Sequence, residues 1–355
     1  MVGKVRLAVV AVGSVAVVLT ATPFVPSNQW WIRIWDFPRL QVAAVLLLVL
    51  FAAPFVMSLR DRRSAAFIGP VALALGWQAY SVAPYTPFHP TEAEAVLRCE
   101  EDSRLRLLAL NVKAGNKNAD RVLALVRRIA PDLLLLVETD RWWARQLEPL
   151  EGIYPHVVAH PRDNGYGFHL FSRFELVEPE VRFLVEKDVP SIKTGVSLPS
   201  GEVVDFYGLH PKPPPIQDTA ERDAELLIVG REVRKEAASS IVAGDLNDVA
   251  WSQTNRLLQE TSGLLDPRIG RGPYATFNAN WPLLRWPLDH VFFEDAFRLL
   301  AIAVLPDVGS DHFPFFVSLC YVSTASSVGE QPEAAPSELE AAEEAIEEGH
   351  EEAGE

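Results

Sequence analysis

The chain has 355 residues, a net charge of −15 and two cysteines, with 32 Lys and Arg set against 47 Asp and Glu. That length allows one large domain with additions. No broad basic face is implied, which weakens any picture of a protein that grips long nucleic acid by charge alone.

Three predominantly apolar runs come first, over residues 5–25, 40–59 and 64–83. At 1.5 Å rise, about 20 residues cover roughly 30 Å, the thickness of a hydrocarbon core, so residues 1–84 are expected to form a membrane region of three transmembrane helices. A cleaved signal peptide explains the first run alone, not three in succession. Trp30, Trp31 and Trp35 in the first connection suit a membrane interface. Gly69, Pro70 and Gln78 weaken the third run, for which a buried core helix is the alternative. Lys4, Arg6 and the Arg60, Arg62, Arg63 turn point to the cytoplasm by the positive-inside rule. Three spans then carry everything beyond about residue 85 to the outer side. If the third run does not cross, that part stays cytoplasmic.

Residues 85–103 read as a Pro-bearing, then acidic, linker. The alternating segment 104–111 predicts a strand. Asn118 caps a helix in which Val122, Leu123, Leu125, Val126 and Ile129 share one side, ending at Pro131. The continuous apolar run within 132–138 predicts a strand covered on both faces. A short helix over 139–150 follows, then strands over 154–159, 166–172, 182–185, 194–198 and 203–210. A helix over 218–236, a strand over 239–245 and a helix over 251–261 come next. Strands over 288–293, 299–304 and 313–322 close the series. Many strands with few helices between them predict an α/β domain over 104–322, in which two mixed sheets pack together with helices outside.

Residues 323–355 hold eleven glutamates and no Lys or Arg, and are expected to form a solvated, disordered appendage with a transient helix near 337–348. Cys99 precedes the first strand of this domain and Cys320 lies in the last. If those strands are antiparallel neighbours the two cysteines fall close together, and an oxidising compartment permits a disulfide; two unrelated thiols remain the alternative.

Several strand-like runs end in polar residues. Glu138 closes a run of five apolar residues, where a carboxylate either reaches solvent or binds a cation. Asn111, His210, and Asp245 with Asn247 end other runs, and Ser310-Asp311-His312 opens the last strand. Singly, each has a plain reading: Asn111 begins a turn, Asp245-Leu246-Asn247 forms an Asx turn, and His210-Pro211 is a rigid loop start. Strands that end together would gather these groups at one rim, where α/β proteins place their sites.

Taken in order, Asn111, Glu138, Tyr166-Gly167, His210, Asp245-Leu246-Asn247, Leu288-Asp289-His290 and Ser310-Asp311-His312 resemble the endonuclease/exonuclease/phosphatase superfamily over residues 104–322. The Gly-Asp-x-Asn strand end and the Ser-Asp-His strand start are its most specific parts. The resemblance implies a four-layered α/β sandwich and hydrolysis of a phosphoester by in-line attack of water. It implies that Glu138 is the main ligand of Mg²⁺ or Mn²⁺, with Asn111 and Asp311 beside the ion. His312, held by Asp289, is the implied general base or phosphate contact. Asp245 is implied to orient or deprotonate water, and Asn247 and His210 to hold phosphate oxygens. Tyr166, His169 and His290 receive no role, the two histidines reading equally as strand residues. The expected partners are the bilayer, through the N-terminal helices, and a phosphoester: nucleic acid, phospholipid or a small phosphate ester. The expected place is the cell membrane, multi-pass, with the catalytic domain extracytoplasmic. A non-catalytic receptor or scaffold on the same fold would lack a metal or base position, and none is missing here.

Overall fold

The computed structural model describes every residue except Met1, Leu59, Ala237, 323–331, Glu333 and Glu355. Leu59, which ends the second apolar run, and much of the start of the acidic segment therefore lie outside the described residues.

The N-terminal helices are α1 (Val2–Ala21), the short α2 (Trp30–Arg33), α3 (Arg39–Val56) and α4 (Arg62–Val82). Among the described residues, Gly3–Phe24, Arg39–Val56 and Arg62–Tyr85 are long and apolar enough to cross a membrane. Ala16, Val42, Leu46, Val49, Val71 and Ala74 form their common core. Gln78, which weakens the third run in sequence, points inward and donates to Thr20 Oγ1 at 3.0 Å. A satisfied amide between helices is compatible with an apolar surround.

The remaining chain forms β1 (Arg104–Asn111), α5 (Ala119–Ile129), β2 (Leu133–Val137), α6 (Arg141–Leu147), β3 (His156–His160), β4 (Phe168–Ser172), β5 (Leu176–Arg182), β6 (Ser191–Ser197) and β7 (Val203–Leu209). Then come α7 (Ala220–Lys235), β8 (Ser240–Asp245), α8 (Gln253–Ser262), β9 (Asp289–Phe293), β10 (Phe297–Val304), β11 (Phe315–Tyr321) and α9 (Pro336–Glu352). One sheet has the order β10-β11-β1-β2-β4-β3 and the other β5-β6-β7-β8-β9. Each is built around one parallel pair, β1 with β2 and β7 with β8, flanked by antiparallel strands.

Side-chain alternation explains the layering. Leu133, Leu135 and Val137 of β2 join Phe206, Ile241 and Val291 between the sheets, while Leu134 and Leu136 face Val122, Val126 and Trp143 of α5 and α6. On the far side, Leu226, Val229 and Leu258 of α7 and α8 cover Tyr207, Val242 and Phe292. Helix, sheet, sheet and helix give the four layers that the sequence predicts.

Three segments differ from their sequence reading. The strand expected over 182–185 lies at Leu176–Arg182, with a register shift between Val177 and Glu180. That bulged edge strand is exposed and carries Glu178-Pro179-Glu180, so its apolar alternation is faint. The segment 85–103, read as a linker, is largely exposed but pinned at points, with Ala93 buried and Val96 N donating to Leu299 O. The acidic segment contains α9, which buries Ala342, Ile346 and Gly349. A Cβ at Gly349 would sit 2.3 Å from Ala224 Cβ, so glycine there lets α9 and α7 touch. Charge repulsion suggested solvation, but residues 342, 346 and 349 recur at helical spacing and give α9 an apolar stripe.

A disulfide joins Cys99 to Cys320, tying the chain before β1 to the strand antiparallel to it. Behind the α7 and α9 contact, Glu225 is 2 % exposed and Oε1 has no hydrogen-bond partner. Burial, with Glu186 adding repulsion and Arg182 opposing it, pushes its carboxyl up from 4.5 to about 8. The folded state thus holds a proton that the unfolded chain releases, so stability is lost as pH rises between about 4.5 and about 8. Glu225→Gln is expected to flatten this slope by up to ~1.4 kcal/mol per pH unit, read as the pH dependence of the thermal midpoint in detergent. An unchanged slope would mean that Glu225 ionises freely.

Candidate active site at the rim of the two sheets

Both parallel strand pairs run toward the same rim. β1 and β2 deliver Asn111 and Glu138 there, and β7 and β8 deliver His210 and Asp245. β9 begins at Asp289 and the approach to β11 carries Asp311 and His312. Lys113, Glu138 and Asn247 have φ of 59°, 59° and 53°, an uncommon region for residues with a Cβ, and each turns the chain just after a strand. Gly244, with φ 148°, has no alternative: a Cβ there would lie 1.9 Å from Leu209 O of β7.

Asn111 links the sheets. Its Nδ2 donates to Glu138 Oε1 at 2.8 Å and to Asp245 Oδ2 at 2.9 Å, and its Oδ1 accepts from Lys113 N at 2.9 Å. Two carboxylates facing it can accept only from the NH₂ end, which fixes the amide orientation. Glu138 Oε2 also accepts from Ala114 N at 3.2 Å. Asp311 accepts from Lys113 Nζ at 2.6 Å. Ser310 explains its place in the triplet: Oγ donates to Asn111 O at 2.7 Å and accepts from His312 N at 3.1 Å. That hydroxyl clips the approach to β11 onto the end of β1.

His312 lies between two acids, with Nδ1 2.8 Å from Asp289 Oδ2 and Nε2 3.4 Å from Asp245 Oδ2. Burial alone would lower its pKa, but Asp245 and Asp289 outweigh burial and raise it to about 10. Burial raises the Asp245 carboxyl, opposed by His312. His210, with Nε2 3.7 Å from Asp245 Oδ2, is lowered by burial and stays neutral, and its Nδ1 has no partner. Asn247 donates from Nδ2 to Pro211 O at 2.8 Å, tying the Asp245 turn to the loop after His210. Asp289 Oδ1 is buried without a partner.

All eight residues singled out by sequence meet at this rim. Glu138, His210, Asp245, Asn247, Asp311 and His312 line a pocket of 730 Å³, with Asn111 and Asp289 behind it. Tyr166 also lines it, its ring 5.5 Å from His210. His169 and His290 serve the scaffold. His169 Nδ1 meets Thr139 Oγ1 at 2.9 Å, and burial lowers it to about 4. His290 bridges Arg268 and Asp248 O at 2.6 and 2.9 Å.

Ser310 was named in sequence only as part of its triplet and Lys113 had no part in the site, because their contacts are visible only once β1 and β11 are adjacent. Sequence reasoning also missed most of the pocket's apolar wall. Phe277, 4.9 Å from the His312 ring, and Trp286 form part of it. Ile34, Trp35, Phe37 and Pro38, from the connection between α1 and α3, complete it. The tryptophans of 281–286 and of the first connection were the available signal.

Four carboxylates, Glu138, Asp245, Asp289 and Asp311, thus face Lys113 and the His312 imidazolium, leaving a surplus of negative charge. Oxygen-rich, negative sites fit a hard divalent cation. Asp245, Asp289 and His312 also place one ligand-type atom each within 4.8 Å of one another, a group that could hold a metal ion.

Comparison with known proteins agrees with this geometry. TDP2 of D. rerio, in a structure with a single-strand DNA product, superposes with a TM-score of 0.53 at 20% identity, covering 61% of this chain and 99% of that one. An endonuclease/exonuclease/phosphatase from Beutenbergia cavernae gives 0.50 at 24% identity, covering 62% and 72%. The human Nocturnin catalytic domain with a bound sulfate anion gives 0.51 at 16% identity, covering 63% and 96%. At such identities the likeness establishes the fold. No protein of curated function matches the sequence. The model of the Endonuclease/Exonuclease/phosphatase family matches residues 108–312, more than half of the chain and the whole of the rim just described. The chain therefore belongs to the endonuclease/exonuclease/phosphatase family, a family of phosphoester hydrolases.

Proposed function

We propose that this chain is a membrane-anchored, divalent-metal-dependent phosphoesterase whose catalytic domain lies outside the cytoplasm. The observation that carries the reading is the convergence of Asn111 and Glu138 from one sheet with His210, Asp245 and Asn247 from the other, closed by Asp289 and the Asp311-His312 pair.

Glu138 and Asp311 are assigned to hold Mg²⁺ or Mn²⁺, with Asn111 beside the ion. The His312 group suits a different task, because both ring nitrogens face carboxylates and therefore both carry protons. The bound cation would supply charge neutralisation on a non-bridging phosphate oxygen. His312, as imidazolium, donates toward the phosphoryl oxygens, while Asp289 fixes its ring. Asp245, held by Asn111 and backbone N–H of Asn247, accepts the proton of the attacking water. Asn247 and His210 orient the phosphate. The oxygen of water bonds to phosphorus as the leaving oxygen departs with the bonding electrons and is protonated.

The outward orientation is supported by the cationic residues at the other ends of the spans and by the Cys99–Cys320 disulfide, which oxidising compartments favour. In intact cells, a periplasm-active reporter fused after Tyr85 is expected to be active; activity only from a cytoplasm-active reporter would reverse the orientation.

The full chain purified in detergent is expected to hydrolyse bis(p-nitrophenyl) phosphate or p-nitrophenyl phosphate with Mg²⁺ or Mn²⁺ and to stop with EDTA. Asp245→Asn should lower kcat by about 10²- to 10⁴-fold, the usual loss of a general base. Glu138→Gln should raise the metal concentration needed for half activity by about 10-fold or more. Full activity in EDTA, or unchanged kinetics in both variants, would sink the assignment.

A further inference from the structure

The catalytic rim sits directly on the outer ends of the spans. Val249, Ala250 and Trp251, shortly after Asp245, and Leu288, immediately before Asp289, pack with Phe37, Val82 and Tyr85 from the membrane region. Trp251 Nε1 donates to Asp36 O at 2.8 Å, and Tyr85 Oη donates to Ala250 O at 2.5 Å. The pocket therefore opens between the rim and the first connection, and its two sides differ chemically. One carries the acids and imidazoles; the other is Ile34, Trp35, Phe37 and Pro38, continued by Leu284 and Trp286.

The loop that brings Leu284 and Trp286 to the pocket also carries exposed apolar side chains. Leu283 is 84 % exposed and Trp281 63 %. Their loop is fastened to the start of the second span, where Gln41 Nε2 donates to Leu283 O at 2.8 Å. Gln41 also lines a second groove, of 360 Å³, whose other walls are Ala11, Val12, Val15 and Leu19 of α1 with Val42 and Val45 of α3. This apolar groove occupies the outer half of the spans and ends at the residue that holds the loop beside the pocket. The lysines near the pocket are already committed, Lys113 to Asp311 and Lys212 to Glu186 and Asp188. A polyanionic strand would find few free cations there and an apolar wall opposite the acids.

We propose that the substrate is a long-chain lipid phosphoester that reaches the site sideways from the outer leaflet, its phosphate at the rim and a hydrocarbon chain along the first connection and the α1–α3 groove. The inference rests on the phosphoesterase reading and names its substrate class. It follows from continuity: the connection that joins the first two spans walls the pocket, so a lipid can place its head at Asp245 while its tail stays out of water.

The test uses the full chain in vesicles with Mg²⁺ and two phosphodiesters that share a leaving group, p-nitrophenyl hexadecyl phosphate and p-nitrophenyl methyl phosphate. Both release p-nitrophenol when water attacks phosphorus, so only the tail differs. kcat/KM is expected to favour the hexadecyl ester by about 10-fold or more, in line with burial of many methylenes. Trp35→Ser and Leu284→Ser should each lower that ratio by about 5-fold or more, chiefly through KM. Equal rates on the two esters, or faster cleavage of a single-stranded oligonucleotide than of the hexadecyl ester, would overturn the lipid assignment and leave the phosphoesterase reading standing. No metal-dependent turnover of any of the three would remove both.

Discussion

Asn111 is 1 % exposed and donates to two carboxylates that come from different sheets, Glu138 beside it and Asp245 across the sandwich. Two acids could not be brought to one buried amide without donors between them, because each lost hydrogen bond and each poorly screened charge is costly there. The carboxamide answers both needs with no charge of its own. Ser310 then anchors the end of β1 to the approach of β11, which brings Asp311 and His312 to the same place. The site thus depends on the two sheets being packed at one height, and the polar contacts also fix that height.

The site is arranged as a balance of charges. His312 is kept cationic by Asp245 and Asp289 despite its burial, whereas His210, with no comparable pair of acids in contact, stays neutral. His169 and His290 are neutral for the simpler reason of burial, with hydrogen bonds that hold them in the scaffold. These four of the domain's six histidines therefore divide by the neighbours they meet rather than by their own chemistry.

The N-terminal helices contribute to the domain as well as preceding it. The connection between α1 and α3 supplies pocket wall, and Tyr85 and Trp251 lock the end of α4 to the segment after Asp245. Such packing leaves little room for the domain to swing free of the spans. Ile34, Trp35, Phe37 and Pro38 come from that connection, so this part of the pocket's apolar wall is a property of how the chain is joined together.

The layered fold is legible in the sequence alone, because alternation in β1, continuous apolarity in β2 and helical stripes in α5 are local consequences of which faces are buried. So is the roster of rim residues, since polar groups ending apolar strands have few places to go. Three apolar runs of bilayer length were legible for the same reason. Only the tertiary structure decided which polar groups touch. The bond from Asn111 to Asp245 spans 134 residues, and that from Lys113 to Asp311 spans 198. It decided that Cys99 and Cys320 pair, and that α9 packs although its charge argued for solvation. It decided, too, that Trp35 and Phe37 wall the pocket. Periodicity reports whether a side chain is buried; the neighbour it is buried against depends on how sheets and spans dock, and no local pattern encodes that.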